Sequence, residues 1–438
     1  MLEVAAVDSV GINPFTYPYG MKTQYPVVLI TMATVLAAGC SGSEDAEITA
    51  AMSAEPTTPT PDATVTDPAA AEPTTSVPVA SEPVATEPPP EPEVTAAAEQ
   101  TPDGFSAIGP IVDAYVAEQE LNGAGLIVVD QNDGVVYEDY WGEFSAERVS
   151  LIASSSKMIS AGVLLALQDN ELIDIDAPVA DVTGWEGNPE ITSAQLVSSA
   201  SGLVGNDPDP AYPPYLCQFS TDSELEECGA TIFQTPGDDA DVIAPDSGFR
   251  YGGGQWQVAG AVAEIVSGKS WAELIDEIYV EPCELETLGF TNHWAEYGGD
   301  YPAEFNSDPS VLTDTKNPHI GSGAYATTGD YAKLLLMHLR GGMCGDAAVL
   351  SQEALNTMHT ARITGIPLDG KNVGYGMGWW IDSEPGRISD PGVYGSVPWL
   401  DLNNGYGAYL VVEKTLPVGR NLAAQLYEPV KAAVLAGR

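Results

Sequence analysis

The sequence predicts an α/β domain: an antiparallel sheet flanked by helices from the two ends of the chain, with a helical lobe inserted between them. Three observations point there. Residues 125–139, Gly-Leu-Ile-Val-Val-Asp-Gln-Asn-Asp-Gly-Val-Val-Tyr-Glu-Asp, read as two strands around an Asn-Asp-Gly turn, and 392–399 with 407–413 read as a second pair around Asn-Asn-Gly. Helical patterns at 108–120 and 422–436 bracket these hairpins, and residues 254–266, 270–279 and 328–340 supply the helical middle.

The remaining chain divides by composition. Residues 1–40 read as a leader whose true start is Met21: a short basic opening, an apolar run from Tyr25 to Ala38, and Leu-Ala-Ala-Gly-Cys ending at Cys40. The run is too short for a comfortable membrane span. Its ending resembles the lipobox of bacterial lipoproteins, which implies lipidation of Cys40 and a membrane anchor; a cleaved signal peptide with an incidental Cys40 is the alternative, giving a secreted protein. Residues 41–103 are Ala, Pro, Thr, Glu and Ser with 13 acidic and no basic residues, and so read as a disordered, solvated tether. Residues 104–438 read as one folded unit.

That unit carries 48 acidic and 14 basic residues, about −34, which excludes nucleic acid as a partner because phosphates would be repelled. Four cysteines remain beyond Cys40. In an exported chain an even number reads as disulfides, and the close spacing suggests Cys217 with Cys228, leaving Cys283 for Cys344. His293, His319, His338 and His359 are scattered without ligand spacing, which argues against a metal site and against a Ser-His triad. No cofactor motif is present.

The chemistry lies first in Ser154-x-x-Lys157, which opens a nearly all-apolar segment running through Leu167. If that segment is a helix, both side chains project from its first turn. Ser154 then sits where unpaired N–H groups and the helix dipole favour a developing anion, and Lys157 can take the hydroxyl proton. A buried lysine in a chain so poor in cations is costly unless it has a task. The second motif, Phe249-Arg-Tyr-Gly-Gly-Gly-Gln-Trp256, sets Tyr251 before a glycine run leading into a helix. A tyrosine held near Ser154 and Lys157 could relay protons.

The order of these motifs resembles the serine β-lactamase and penicillin-binding superfamily, in particular class C β-lactamase-like hydrolases and related esterases. The resemblance covers nearly all of 104–438: 151–185 is similar to the family's nucleophile helix, Leu196-Val-Ser-Ser-Ala-Ser-Gly-Leu203 to its Leu-x-x-His-x-Ser-Gly-Leu signature, 251–288 to its tyrosine motif and helix, and 321–342 and 375–380 to later segments. It implies a β-lactamase/transpeptidase-like fold, with Ser154 as nucleophile, Lys157 as proton acceptor and Tyr251 as general base. The family's Lys-Thr-Gly or His-x-Gly motif falls on Asp390-Pro-Gly-Val-Tyr-Gly395. Gly392 and Val393 would then border the oxyanion hole, formed by the N–H groups of Ser154 and Val393, and Gly253 and Gly395 would border the substrate.

Three departures stand out. Gly253 replaces an asparagine, Ser199 replaces a histidine, and Asp390 replaces a cation. A unit charge about 4 Å from a substrate carboxylate is worth on the order of 4 kcal/mol at an effective dielectric near 20, so Asp390 in the pocket would turn attraction into repulsion. The expected activity is therefore hydrolysis of neutral or cationic carboxylic esters or amides through an acyl-enzyme. A β-lactamase or D-alanyl-D-alanine carboxypeptidase acting on a cell-wall-type substrate is the second reading, and a non-catalytic cell-surface binding lipoprotein of the same fold is the third. Trp185, Tyr375, Trp379 and Trp380 read as cleft-lining or core aromatics.

Overall fold

The computed structural model describes residues 103–206, 212–236, 239–294 and 300–438. The leader, with Met21 and Cys40, and the tether up to residue 102 lie outside the described residues.

Eight strands form one antiparallel sheet: β1 (Gly123–Asp130), β2 (Gly134–Gly142), β3 (Ile363–Leu368), β4 (Lys371–Tyr375), β5 (Trp380–Ile381), β6 (Arg387–Ser389), β7 (Val397–Asp401) and β8 (Tyr406–Val411). Their order is β2-β1-β8-β7-β6-β5-β4-β3, so the first and last hairpins of the domain meet, with Ile127 opposite Tyr409. β1 is buried along its whole length, which explains its unbroken apolar run, whereas the edge strand β2 buries only Tyr137 and Trp141.

Successive residues of β1 and β8 serve opposite faces. Leu126, Val128, Ala408 and Leu410 pack under the terminal helices α1 (Ile108–Glu118) and α5 (Leu416–Ala436), meeting Val112, Leu422, Leu426 and Val430. Ile127, Val129, Tyr409 and Val411 face the other way, into the core shared with α2 (Lys157–Asp169), α3 (Gly254–Ser267) and α4 (Thr328–Leu339). α2 is buried at every position from Lys157 to Leu167, and α3 from Gly254 to Ala263. Helices buried on all sides over most of their length lie at a domain centre.

Several elements depart from the sequence reading. The strand expected from Gly392 begins only at Val397, because Gly392 to Gly395 form a turn closed by the Gly395 N–H on the Gly392 carbonyl at 3.0 Å. The terminal helix starts at Leu416, six residues early, with Pro417 in its first turn where no intrahelical N–H is lost. The helix expected over 270–279 is regular only over Trp271–Ile275, capped reciprocally by Ser270 and Glu273, and widens beyond it. Strands β3 to β6 were not anticipated. The four cysteines pair as Cys217 with Cys228 and Cys283 with Cys344.

Candidate active site

Ser154 does not lie within α2 but in a tight turn, Ala153–Ser156, that feeds into it. Ala153 holds a left-handed backbone at φ 50°, an uncommon conformation for a residue with a Cβ. The serines around this turn have separate fates. Ser155 donates to the Asp390 carbonyl at 2.7 Å, Ser156 to the Ala153 carbonyl, and Ser160 to the Ile320 carbonyl at 2.7 Å, all three fully buried. Ser154 alone keeps partial exposure, and its Oγ accepts from the Lys157 ammonium at 3.1 Å.

Lys157 is 3% exposed. Its Nζ also donates to the Gly321 carbonyl at 2.6 Å and lies 4.7 Å from the centre of the Tyr251 ring and 5.7 Å from that of Trp256. Burial brings this ammonium down from 10.5 to about 8, against the opposing pull of the Asp390 carboxylate. A substantial part of the lysine is therefore neutral near pH 8 and able to accept a proton from the serine beside it.

Tyr251 reaches this lysine because the glycine run after it allows close approach. A Cβ on Gly252 would stand 2.8 Å from the Gly205 Cα, so the two backbone segments touch directly, and the Asn206 N–H donates to the Tyr251 carbonyl at 2.7 Å. Tyr375 and Trp380 stand against the Tyr251 ring, with centroids 6.1 and 5.6 Å away. These two expected aromatics therefore flank the site. The other two do not: Trp379 packs on His338 and His359, and Trp185 on Phe233.

The segment 390–396 presses against the backbone just before Ser154. A Cβ on Gly392 would fall 2.1 Å from the Ile152 carbonyl, and the Ser396 hydroxyl donates to that same carbonyl at 2.8 Å. Val393, next in line, is partly exposed, and its N–H finds no hydrogen-bond acceptor among the described residues. Two residues of this motif need correcting. Asp390 was expected to place its charge in the cleft, but it is fully buried and turned inward. Its Oδ2 accepts from the Met158 N–H at 3.0 Å at the start of α2, and its Oδ1 has no partner. Helix-start N–H groups and the nearby lysine draw it in, while burial pushes its own pKa well up. Gly395 was expected at the substrate, but it is buried in its turn, where a Cβ on Gly419 of α5 would fall 2.5 Å from the Gly395 carbonyl.

Ser199, at the family's histidine position, is buried with φ 56°, and its carbonyl accepts from the Arg250 N–H at 2.8 Å, a backbone role. Gly253, at the asparagine position, is partly exposed, and the space its side chain would fill is taken by others. A Cβ there would lie 2.2 Å from Gln218 Oε1 and 3.0 Å from His319 Nε2. Neither residue was found from the sequence. Gln218 carries no motif, and His319 could be suspected only from standing two residues before Gly321. His338 and His359 form a separate pair, Nδ1 to Nε2 3.0 Å. Among the described residues no group of three or more His, Cys, Asp or Glu could hold a metal ion.

Known proteins resemble this chain over most of the described domain. A family model described as Beta-lactamase matches residues 109–430. Penicillin-binding protein 4 of Amycolatopsis lactamdurans is 23% identical over 327 residues, which is 67% of this chain and 81% of that protein. Two solved structures share the fold: EstCE1, a hydrolase with promiscuous acyltransferase activity, at a TM-score of 0.62 and 17% identity, and a family VIII carboxylesterase at 0.59 and 18%. Each match covers 75% of this chain and 98% of the other. The chain belongs to the β-lactamase family.

Proposed function

We propose that this chain is a serine hydrolase that cleaves carboxylic esters through an acyl-enzyme. The observation that carries the proposal is the 3.1 Å contact between the Ser154 hydroxyl and a buried Lys157 whose ammonium is drawn down to about 8. Ser154 Oγ attacks the carbonyl carbon as its proton passes to neutral Lys157, and the oxyanion is held by the N–H groups of Ser154 and Val393. The tetrahedral adduct collapses, breaking the bond to the leaving alcohol, which takes up the proton through Lys157 and Tyr251. Water, losing a proton to Tyr251 as the phenol passes its own proton to neutral Lys157, then attacks the acyl-enzyme, and collapse of the adduct releases the acid as Ser154 takes a proton back from Lys157.

Esters rank first because the esterase neighbours share this fold over nearly their whole length. The likeness to a penicillin-binding protein over 81% of that protein supports a second substrate class, β-lactams or D-alanyl-D-alanine peptides. Asp390 does not argue against it, since its carboxylate faces the protein interior. Turnover of 4-nitrophenyl butyrate, a chromogenic cephalosporin and a D-alanyl-D-alanine peptide, each compared with Ser154→Ala, separates the readings. Ser154-dependent ester turnover is the expected result, cephalosporin or peptide turnover alone moves the assignment to the second class, and no turnover of any of them leaves the binding-lipoprotein reading.

Export, with Cys40 as a lipid anchor on the outer face of the cytoplasmic membrane, is proposed from the leader sequence. Incorporation of a labelled fatty acid that disappears in Cys40→Ala tests it.

A further inference from the structure

A second concavity lies outside the cleft. It holds about 600 Å³ and is lined by none of Ser154, Lys157, Tyr251 or Val393. Its walls come from distant parts of the chain: the turn after α1 with Glu120 and Leu121, the residue Glu143 just past β2, and the loop carrying Asp300 and Tyr301. A cavity of this volume is large enough for a small molecule.

The floor and rim are both fixed. Glu413, buried at the floor, accepts from Arg148 Nε and Nη2 at 2.9 and 2.7 Å and from the Ser150 hydroxyl at 2.8 Å. Arg148 is held in turn over the Phe144 ring, 4.8 Å from its centre. At the rim the Glu143 N–H donates to the Asn122 carbonyl at 2.8 Å, and the Leu121 N–H to the Val116 carbonyl at 3.0 Å, so Glu120 and Glu143 project from adjoining, tied backbone. The Tyr301 hydroxyl is buried and completes no hydrogen bond. Burial, and then the Glu413 charge, holds this phenol well above its usual range, so it stays protonated. A buried hydroxyl without a partner is costly unless something arrives to meet it.

The sign of the lining decides what can arrive. Glu120, Glu143, Asp300 and Glu413 stand against Arg148 and Lys414, and Arg148 is already committed to Glu413. Among the described residues no cation lies within ion-pairing distance of Glu120, Glu143 or Asp300. A carboxylate ligand would be repelled by this excess. An ammonium would find carboxylates at the rim, the Tyr301 oxygen as an acceptor and its ring as a cation–π face, while Leu121 offers apolar surface to a carbon chain.

We propose that this cavity is a second binding site, selective for an organic ammonium ion and built on Glu120, Glu143 and Tyr301. The ligand takes no part in ester cleavage, so the site stands or falls independently of the role of Ser154.

Isothermal titration calorimetry of the full chain with 1,5-diaminopentane tests it. Salt at about 150 mM suppresses diffuse attraction to a chain of net charge −48. Saturable binding is expected for the diamine and none for 1,5-pentanediol, its uncharged analogue, or for glutarate, its anionic one. Glu120 and Glu143 are exposed, so Glu120→Gln with Glu143→Gln keeps the fold and should weaken the diamine by at least about tenfold. Tyr301→Phe, which keeps the ring, should weaken it by about fivefold. Glu227→Gln with Glu353→Gln removes the same charge from exposed positions outside the cavity and should leave the affinity within about twofold. The site is overturned by an absence of saturable binding, by equal binding of the diol, by affinity that survives either cavity variant, or by weakening of the same size in the control.

Discussion

If Lys157 takes the proton of Ser154, activity must follow the lysine's neutral form, and the structure gives the pH at which that form appears. Burial sets the group at about 8, with the Asp390 carboxylate opposing. The neutral fraction is then about 1% at pH 6 and about half at pH 8, so kcat/KM should rise about 50-fold across that range and only about twofold beyond it. The assay is hydrolysis of 4-nitrophenyl butyrate at low substrate, read at an isosbestic wavelength and corrected for spontaneous hydrolysis. Asp390→Asn supplies the perturbation. It keeps an acceptor for the Met158 N–H but removes the charge that holds the lysine up, so the rising limb should move to lower pH. A profile that is flat or falls between pH 6 and 9 refutes the assignment of Lys157, and a limb displaced to higher pH in Asp390→Asn refutes the sign of the electrostatic argument.

Tyr251→Phe keeps the ring beside Lys157 but removes the proton relay, and should lower kcat by about 10² to 10⁴ while circular dichroism and melting temperature stay unchanged. Burial pushes Glu264 from 4.5 up to about 7, with Glu226, Glu224 and Glu273 adding to it against the hydrogen bond from the Trp271 N–H. The folded chain holds more protons in that window, so this group's contribution falls as pH rises through it. Glu264→Gln should therefore stabilise the domain by about 1–2 kcal/mol at pH 8, discounted for partial exposure, and by nothing measurable at pH 4, as read by denaturant unfolding. Replacing Cys217 and Cys228 by serine opens a loop with a sequence separation of 11 and should cost about 3 kcal/mol on the chain-entropy account, seen as a lower melting temperature.

What the sequence makes legible here is local. The Asn-Asp-Gly turn reveals β1 and β2 because both flanking runs are long and the turn residues tolerate positive φ, and the apolar stretch after Ser154 reveals α2 because every position from Lys157 to Leu167 is buried. β3 to β6 stay hidden because they span 6, 5, 2 and 3 residues, too short for alternation to register, and Gly365 breaks the longest of them at φ 75°. The Ser154 and Lys157 pair is legible because a spacing of three residues brings both side chains together where the tight turn enters α2. Tyr251 is legible only through its glycine run and the order of motifs, and its approach to Lys157 depends on Gly205, a residue nearly fifty positions away. Asp390 shows the limit of position without orientation: the motif aligns, yet the carboxylate points into the helix start and away from the cleft. Gln218 carries no sequence signal and His319 only its nearness to Gly321, because what joins them is the absence of a side chain at Gly253.

The account depends on Ser154 being the one serine of its turn free to react, Ser155, Ser156 and Ser160 being buried and committed to carbonyls. Intact mass and peptide mapping after treatment with a fluorophosphonate measure this directly. One adduct on Ser154, absent from Ser154→Ala, is the predicted result. An adduct on another serine, or ester turnover that persists in Ser154→Ala, contradicts it.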